Sequence, residues 1–321
     1  MQRRRAILWG VAALLAAGGA AGWRDYGRTL AQARQALAAA GRARRAATRH
    51  GPCEYAEAGE GPPLLMIHGT GGGFDQGLLF AAPLIARGWR VIAPSRFGYL
   101  GTPFPDDAGP AAQADALADL LDRLAIPRAG VIGGSAGAIP ALAFALRHPE
   151  RTAALIPLVP ATFVPGRPSP PPPDAMARWI IERGLRSDVL FWAALRLSRD
   201  RMTATLLATD PALVARASPR EQARVRAILF GILPVSDRCE GLLNDARWAA
   251  NPPDLPVAAI AAPTLAISAE DDRFGTADAA RHLAATIPGA ELLILPDGGH
   301  VWVGRDDAVM GAADAFLRRH I

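Results

Sequence analysis

Between residues 51 and 321, short apolar runs alternate with longer stretches whose leucines and alanines recur at helical intervals. The apolar runs fall at 64–67, 90–93, 130–133, 154–159, 264–268 and 291–295, and the helical spacing is clearest over 111–124. Runs of four to six residues without polar alternation suit strands buried on both faces, and their alternation with helices predicts a mostly parallel sheet covered on both sides. An edge hairpin is predicted around 53–58. The alternation stops between about 160 and 256. There the proline-rich 168–173 leads into helical stretches bearing Trp179, Phe191, Trp192, Phe230 and Trp248 among many arginines. This pattern predicts a helical cap inserted into the α/β core. Most of its aromatics are assigned to packing within the cap, and one or two to a pocket that would favour a partly apolar substrate.

The N-terminus reads differently. Arg3-Arg4-Arg5 precedes an apolar run over 6–21, closed by Trp23 and Arg24. The run is shorter than a comfortable membrane span, with tryptophans at 9 and 23 placed for the two interfaces. Two readings stand, an uncleaved anchor and a cleaved signal peptide, and the anchor is preferred because the run lacks a sharp A-x-A site. Positive residues stay on the cytoplasmic side, so the remainder is expected outside the cytoplasmic membrane, on the periplasmic side, or released there after cleavage. Residues 25–45 have alanines and leucines at helical spacing and are read as a stalk. The chain thus divides into a signal-anchor or signal peptide (1–23), an Arg/Ala-rich helical stalk (24–50), a first part of the α/β core (51–160), the helical cap (161–255) and a second part of the core (256–321).

Composition narrows the function classes. Half of the 321 residues are hydrophobic, enough for a sizeable core. The net charge is +5, but residues 1–50 hold ten arginines and one acid, a charge of +9, leaving −4 for the rest. The folded body is therefore not basic, and a nucleic-acid partner is not expected. The chain has no lysine, which removes Schiff-base chemistry, a P-loop lysine and a Ser-Lys dyad. Cys53 and Cys239 stand far apart and near no histidine pair at ligand spacing, so no metal site is expected. A disulfide between them would require an oxidising compartment.

The chemistry is carried by the residues just past the strands. Gly133-Gly134-Ser135-Ala136-Gly137, directly after the 130–133 run, has the G-x-S-x-G form of a nucleophile elbow, in which a strained strand-to-helix turn holds a serine hydroxyl outward. The 64–67 run ends in His68-Gly69-Thr70-Gly71-Gly72-Gly73, whose backbone N–H groups suit an oxyanion hole. The 264–268 run leads into Asp271-Asp272-Arg273-Phe274, and the 291–295 run into His300. Ser135, then an Asp, then His300 is the chain order of an α/β-hydrolase triad, and active sites of such sheets lie at the strands' carboxyl ends.

On these motifs, residues 51 to the C-terminus resemble a serine-dependent, lid-bearing α/β-hydrolase, and 272–274 resemble those of esterases and carbon–carbon bond hydrolases of ring-cleavage products. The resemblance implies Ser135, Asp272 and His300 as catalytic, with Asp271 as the alternative acid. It implies Thr70, Ala136 and Gly71 as oxyanion donors, an acyl-enzyme route on a small-molecule acyl substrate, and no cofactor. Trp302 is read chiefly as a core residue and also as a candidate substrate contact. One departure stands out: many relatives carry Asp-x-x-Gly after the second strand run, where this chain has Ser95-Arg96-Phe97-Gly98. Acyl transfer, perhydrolysis or carbon–carbon cleavage on the same triad, and a silent binding protein of the same fold, are the alternatives.

Overall fold

The computed structural model describes residues 2–40, 43–169 and 174–321, and within them all side chains except those of residues 2–18 and Ala177. Its core is an eight-stranded sheet in the order β1-β2-β4-β3-β5-β6-β7-β8. The strands are β1 (Arg44–Thr48), β2 (Gly51–Ala58), β3 (Pro63–Ile67), β4 (Arg90–Pro94), β5 (Ala129–Gly134), β6 (Thr152–Leu158), β7 (Leu265–Ala269) and β8 (Glu291–Leu295). β1 and β2 form an antiparallel hairpin, β2 runs antiparallel to β4, and every later pairing is parallel.

The unbroken apolar runs are explained by two cores. Along β3, Leu64 and Met66 point to one side and Leu65 and Ile67 to the other, as a period of two requires. Leu65 and Ile67 belong to a core shared with α3 (Pro110–Arg123), α4 (Ala138–Arg147) and α11 (Thr276–Thr286), whereas Leu64 and Met66 belong to one shared with α2 (Phe74–Ala86) and α12 (Asp306–His320). The predicted strands and the covering of both faces are therefore as observed.

Between β6 and β7 the chain builds the helices α5 (Ala175–Leu185), α6 (Asp188–Leu197), α7 (Arg199–Leu206), α8 (Pro211–Arg216), α9 (Pro219–Phe230) and α10 (Cys239–Ala250). Ser187, Asp210 and Ser218 cap α6, α8 and α9 through their side chains. Phe191 is buried in the cap core and Trp179 is exposed. Of the proline-rich lead-in, residues 170–173 lie outside the described residues.

The N-terminal expectation needs correction. Helix α1 (Gln2–Ala39) does not run on to residue 50, because Arg44–Thr48 is a strand of the sheet. Ala46 points into the core while Arg44 reaches Glu57, a two-residue alternation that alanine and arginine disguise. Nor is the helix a free stalk: Asp25 pairs with Arg196 at 2.8 Å, and the Tyr26 ring packs on Trp192. Among the described residues, no helix is long and apolar enough to cross a membrane. The anchor expectation rests mainly on residues 2–18, whose side chains lie outside the described set. Both cysteines are free and buried.

Candidate active site

β5 enters a single 3-10 turn, Ser135–Gly137, and then α4. Ser135 has φ 51°, a left-handed value that strains a non-glycine residue and belongs to a sharp elbow. The turn is tight because its neighbours lack side chains. A Cβ on Gly137 would lie 2.6 Å from the Ile67 carbonyl oxygen and closer still to that of His68, and one on Gly69 would lie 3.1 Å from Ser135 Cβ. Glycine at both positions lets the loop after β3 lie directly against the elbow.

His300 arrives on a second tight turn, where Gly298 and Gly299 have φ of 126° and 62°, values that glycine adopts without strain. Its Nε2 lies 2.9 Å from Ser135 Oγ and its Nδ1 2.7 Å from Asp272 Oδ2. The structure thus joins the three side chains that the sequence singled out. Asp272 is buried and also accepts from the Thr276 hydroxyl and the Phe274 N–H. Burial opposes its ionisation most strongly. The charge of His300 and the hydrogen bonds from His300, Thr276 and Phe274 together outweigh it and hold the carboxyl below its ordinary range. The neighbouring Asp271 has another task, accepting from the N–H groups of Gly298 and Gly299 that form the turn before His300.

The rest of 271–274 has structural work as well. Phe274 sets its ring edge-on to the His300 imidazole at 4.9 Å, and Arg273 pairs with Asp210 in the cap at 3.2 Å. Trp302 is buried, with its ring against Phe80 and under Arg224 and its Nε1–H donated to Asp306, and so takes the place of a core residue.

The oxyanion loop is held by partners that the sequence did not disclose. The Gly69 N–H donates to Gln76, the Gly72 N–H to the Gly69 carbonyl, and the Gly71 N–H to the Tyr99 hydroxyl at 3.2 Å. Gly71 is therefore withdrawn as an oxyanion donor, since its N–H is already used. Thr70, which is exposed, and Ala136 in the elbow remain the candidates for this role.

Two buried arginines hold the loop's carbonyls. Arg96 donates to the Gly69 oxygen and grips Asp245 of α10 through both terminal nitrogens, at 2.8 and 2.5 Å, while Tyr99 donates to the same carboxylate at 2.6 Å. Arg238 donates to the Gly72 oxygen and pairs with Asp75. His68, fully buried, accepts from the Arg96 N–H at Nε2, so its Nδ1–H donates to Gly69. Burial, reinforced by the Arg96 charge, pushes its pKa well down and keeps it neutral. The Ser95 hydroxyl accepts from the Phe74 N–H and donates to Glu54, whose carboxylate also takes the Gly101 N–H.

A cavity of about 910 Å³ opens between α1, α2 and α9, lined by Leu37, Leu79, Arg226 and Phe230 among others. It reaches the oxyanion loop through Gln76, but none of Ser135, Asp272 or His300 lines it. It is not the place where the acyl group would react.

A model of the alpha/beta hydrolase fold family matches residues 62–303. The chain belongs to that family. A 2-hydroxy-6-oxononadienedioate/2-hydroxy-6-oxononatrienedioate hydrolase of Paraburkholderia xenovorans is 30% identical over 257 residues, covering 77% of this chain and 83% of that protein. Among solved structures, an alpha/beta hydrolase fold protein from Nakamurella multipartita superposes with a TM-score of 0.68 at 29% identity, covering 86% of this chain and 99% of its own. A bacterial membrane phospholipase A shares the fold over 99% of both chains, with a TM-score of 0.65 at 24% identity. As a family member with hydrolases among its relatives, this chain is itself an α/β-hydrolase enzyme.

Proposed function

We propose that the chain is a serine hydrolase that cleaves an ester of a partly apolar small molecule through an acyl-enzyme. The observation that carries this reading is the unbroken line from Asp272 through His300 to Ser135, with hydrogen bonds of 2.7 and 2.9 Å. His300 takes the hydroxyl proton as Ser135 attacks the carbonyl, and returns it to the leaving alcohol. Water, activated by the same imidazole, then releases the acid. Asp272 keeps the Nδ1–H tautomer, so that Nε2 is the base facing serine. The tetrahedral oxygen is met by the N–H groups of Thr70 and Ala136, each such donor supplying about 3 kcal/mol of transition-state stabilisation.

A second reading, carbon–carbon bond hydrolysis on the same residues, is favoured by the relative from Paraburkholderia xenovorans. The substrate in that name is a dicarboxylate. Here the two buried arginines beside the loop are each held by a carboxylate of the chain, Asp245 and Asp75. Neither is spare for a substrate carboxylate, which favours the ester. Turnover of short p-nitrophenyl esters, compared with loss of the dienol absorbance of a 2-hydroxy-6-oxo-dienoate, decides between the two.

Ser135→Ala is expected to abolish ester turnover and fluorophosphonate labelling while the circular dichroism spectrum is retained. Labelling that persists on another serine of the folded variant defeats the assignment. We place the enzyme on the outer side of a cytoplasmic membrane, held by the 6–21 run. Full-length protein is then expected to sediment with membranes and to resist high salt, because apolar burial rather than charge retains it. Soluble protein beginning near Trp23 would instead establish a cleaved signal.

A further inference from the structure

The cap turns apolar side chains outward. On α5, Met176, Trp179 and Ile180 are 66%, 57% and 57% exposed, and Ile181 is exposed beside them. On α6, which packs against α5, Leu190 is exposed and Leu197 is 85% exposed. Single exposed apolar residues are ordinary, but a group of this size on two adjoining helices marks an interaction surface. Arginines are set among them. Residues 174–201 hold six arginines against four acids, and Arg178, Arg183 and Arg186 are exposed, the Arg183 guanidinium lying 5.6 Å over the Trp179 ring.

Helix α6 also joins this surface to the N-terminal helix. Its Trp192 meets Tyr26, and the Tyr26 ring in turn lies 5.3 Å from that of Trp23, itself 67% exposed. In the sequence, the apolar 6–21 run ends just before Trp23.

We propose that this face of the cap docks on a bilayer surface rich in anionic phospholipid. Met176, Trp179, Ile180 and Ile181 sink to the headgroup level, and Arg178, Arg183 and Arg186 lie beside the phosphates. Interleaved apolar and arginine side chains suit that boundary, because the rings and aliphatic groups enter it while the guanidinium groups stay with the phosphates. Charge argues for lipid over a second copy of the chain, since two such faces brought together would oppose arginine to arginine. The proposal rests on the membrane location proposed above, and its test separates the two.

The full chain carrying Ile180→Cys takes a polarity-sensitive thiol label, the native cysteines being buried. In vesicles containing phosphatidylglycerol, the label is expected to shift to the blue and to be quenched by headgroup-level spin-labelled lipid. Reversing Arg178, Arg183 and Arg186 to Glu is expected to reduce the docked fraction by more than about tenfold, as each basic residue near an anionic surface strengthens binding about fivefold. Equal quenching in purely zwitterionic vesicles, or in the triple variant, overturns the proposal. A blue shift without lipid that grows with protein concentration also overturns it and gives the face to a second copy. Protein that sediments with vesicles but shows an unquenched label defeats the docking and leaves the anchor standing, whereas protein that does neither defeats both. Turnover of a soluble ester by the triple variant is expected to stay at the parent level, which keeps the test apart from the hydrolase assignment.

Discussion

Asp272→Asn is expected to lower kcat by about 10⁴, the scale seen when a triad Asp is replaced in other enzymes, with the fold retained. The reason lies in the hydrogen bonds. Asp272 Oδ2 accepts from His300 Nδ1, and Oδ1 accepts from the Phe274 N–H. An asparagine that keeps its oxygen on Phe274 turns its NH₂ toward the imidazole. Nδ1 must then accept, the proton moves to Nε2, and the atom facing Ser135 can no longer take a proton. Asp271→Asn, by contrast, keeps an oxygen for the N–H of Gly298 or Gly299 and is expected to cost no more than about tenfold, the scale of one weakened neutral hydrogen bond. Steady-state kinetics on a short ester rank the two. The reverse ranking would move the acid to Asp271.

The same pair has a pH signature. The Asp272 carboxyl is held below its ordinary value, against burial, by His300, Thr276 and Phe274. A depressed carboxylate contributes stability that is fully present above its unfolded pKa, about 3.9, and lost as pH falls through the lower folded value. The gap in stability between the parent and Asp272→Asn is therefore expected to be full near neutrality and to close below about pH 4. Urea titrations at several pH values measure it.

How much the sequence discloses depends on how local each signal is. β3 and β5 are buried on both faces, and such strands must be apolar at every position, so 64–67 and 130–133 stood out. The residues just past those strands' carboxyl ends then pointed to Ser135 and the glycine loop, and the same rule led to His300 and to the Asp271-Asp272 pair, between which only the family resemblance chose Asp272. β1 was hidden because only Ala46 faces the core and its neighbours are alanine and arginine, residues equally at home in a helix. Gly71 was misjudged because a backbone N–H shows nothing of its acceptor in a sequence, and the acceptor, Tyr99, is 28 residues away. The Arg96–Asp245 pair spans 149 residues and joins the core to the inserted cap. No periodicity or short motif records such a contact; the arginine beside the unusual Ser95 was the one mark of it.

That pair governs the second large effect. Asp245→Ala is expected to destabilise the protein by about 3–5 kcal/mol, the cost of removing one partner from a buried ion pair. Arg96 and Asp245 are both buried, and the arginine's Nε already lacks a hydrogen-bond partner among the described residues. Without the carboxylate, the guanidinium keeps only the Gly69 oxygen, and the Tyr99 hydroxyl loses its acceptor. Replacing both ions by apolar residues, Arg96→Met with Asp245→Leu, removes the unpaired charge and is expected to recover most of the loss, as buried ion pairs exchanged for hydrophobic residues often do. Urea unfolding of the two single variants and the double variant gives the coupling; additive losses would show that the ions do not act as a pair. Activity supplies an independent reading. The double variant, though stable, loses the Arg96 donor to the Gly69 carbonyl, which keeps only His68 and the Gly72 N–H, and leaves the Tyr99 hydroxyl, acceptor of the Gly71 N–H, without Asp245. The Thr70 N–H between those residues then loses its fixed aim, and a misdirected oxyanion donor costs kcat up to about 10²-fold while KM changes little, because the developing charge exists only in the transition state. A double variant with parent stability and parent kcat would show that α10 is tied to the core for folding alone.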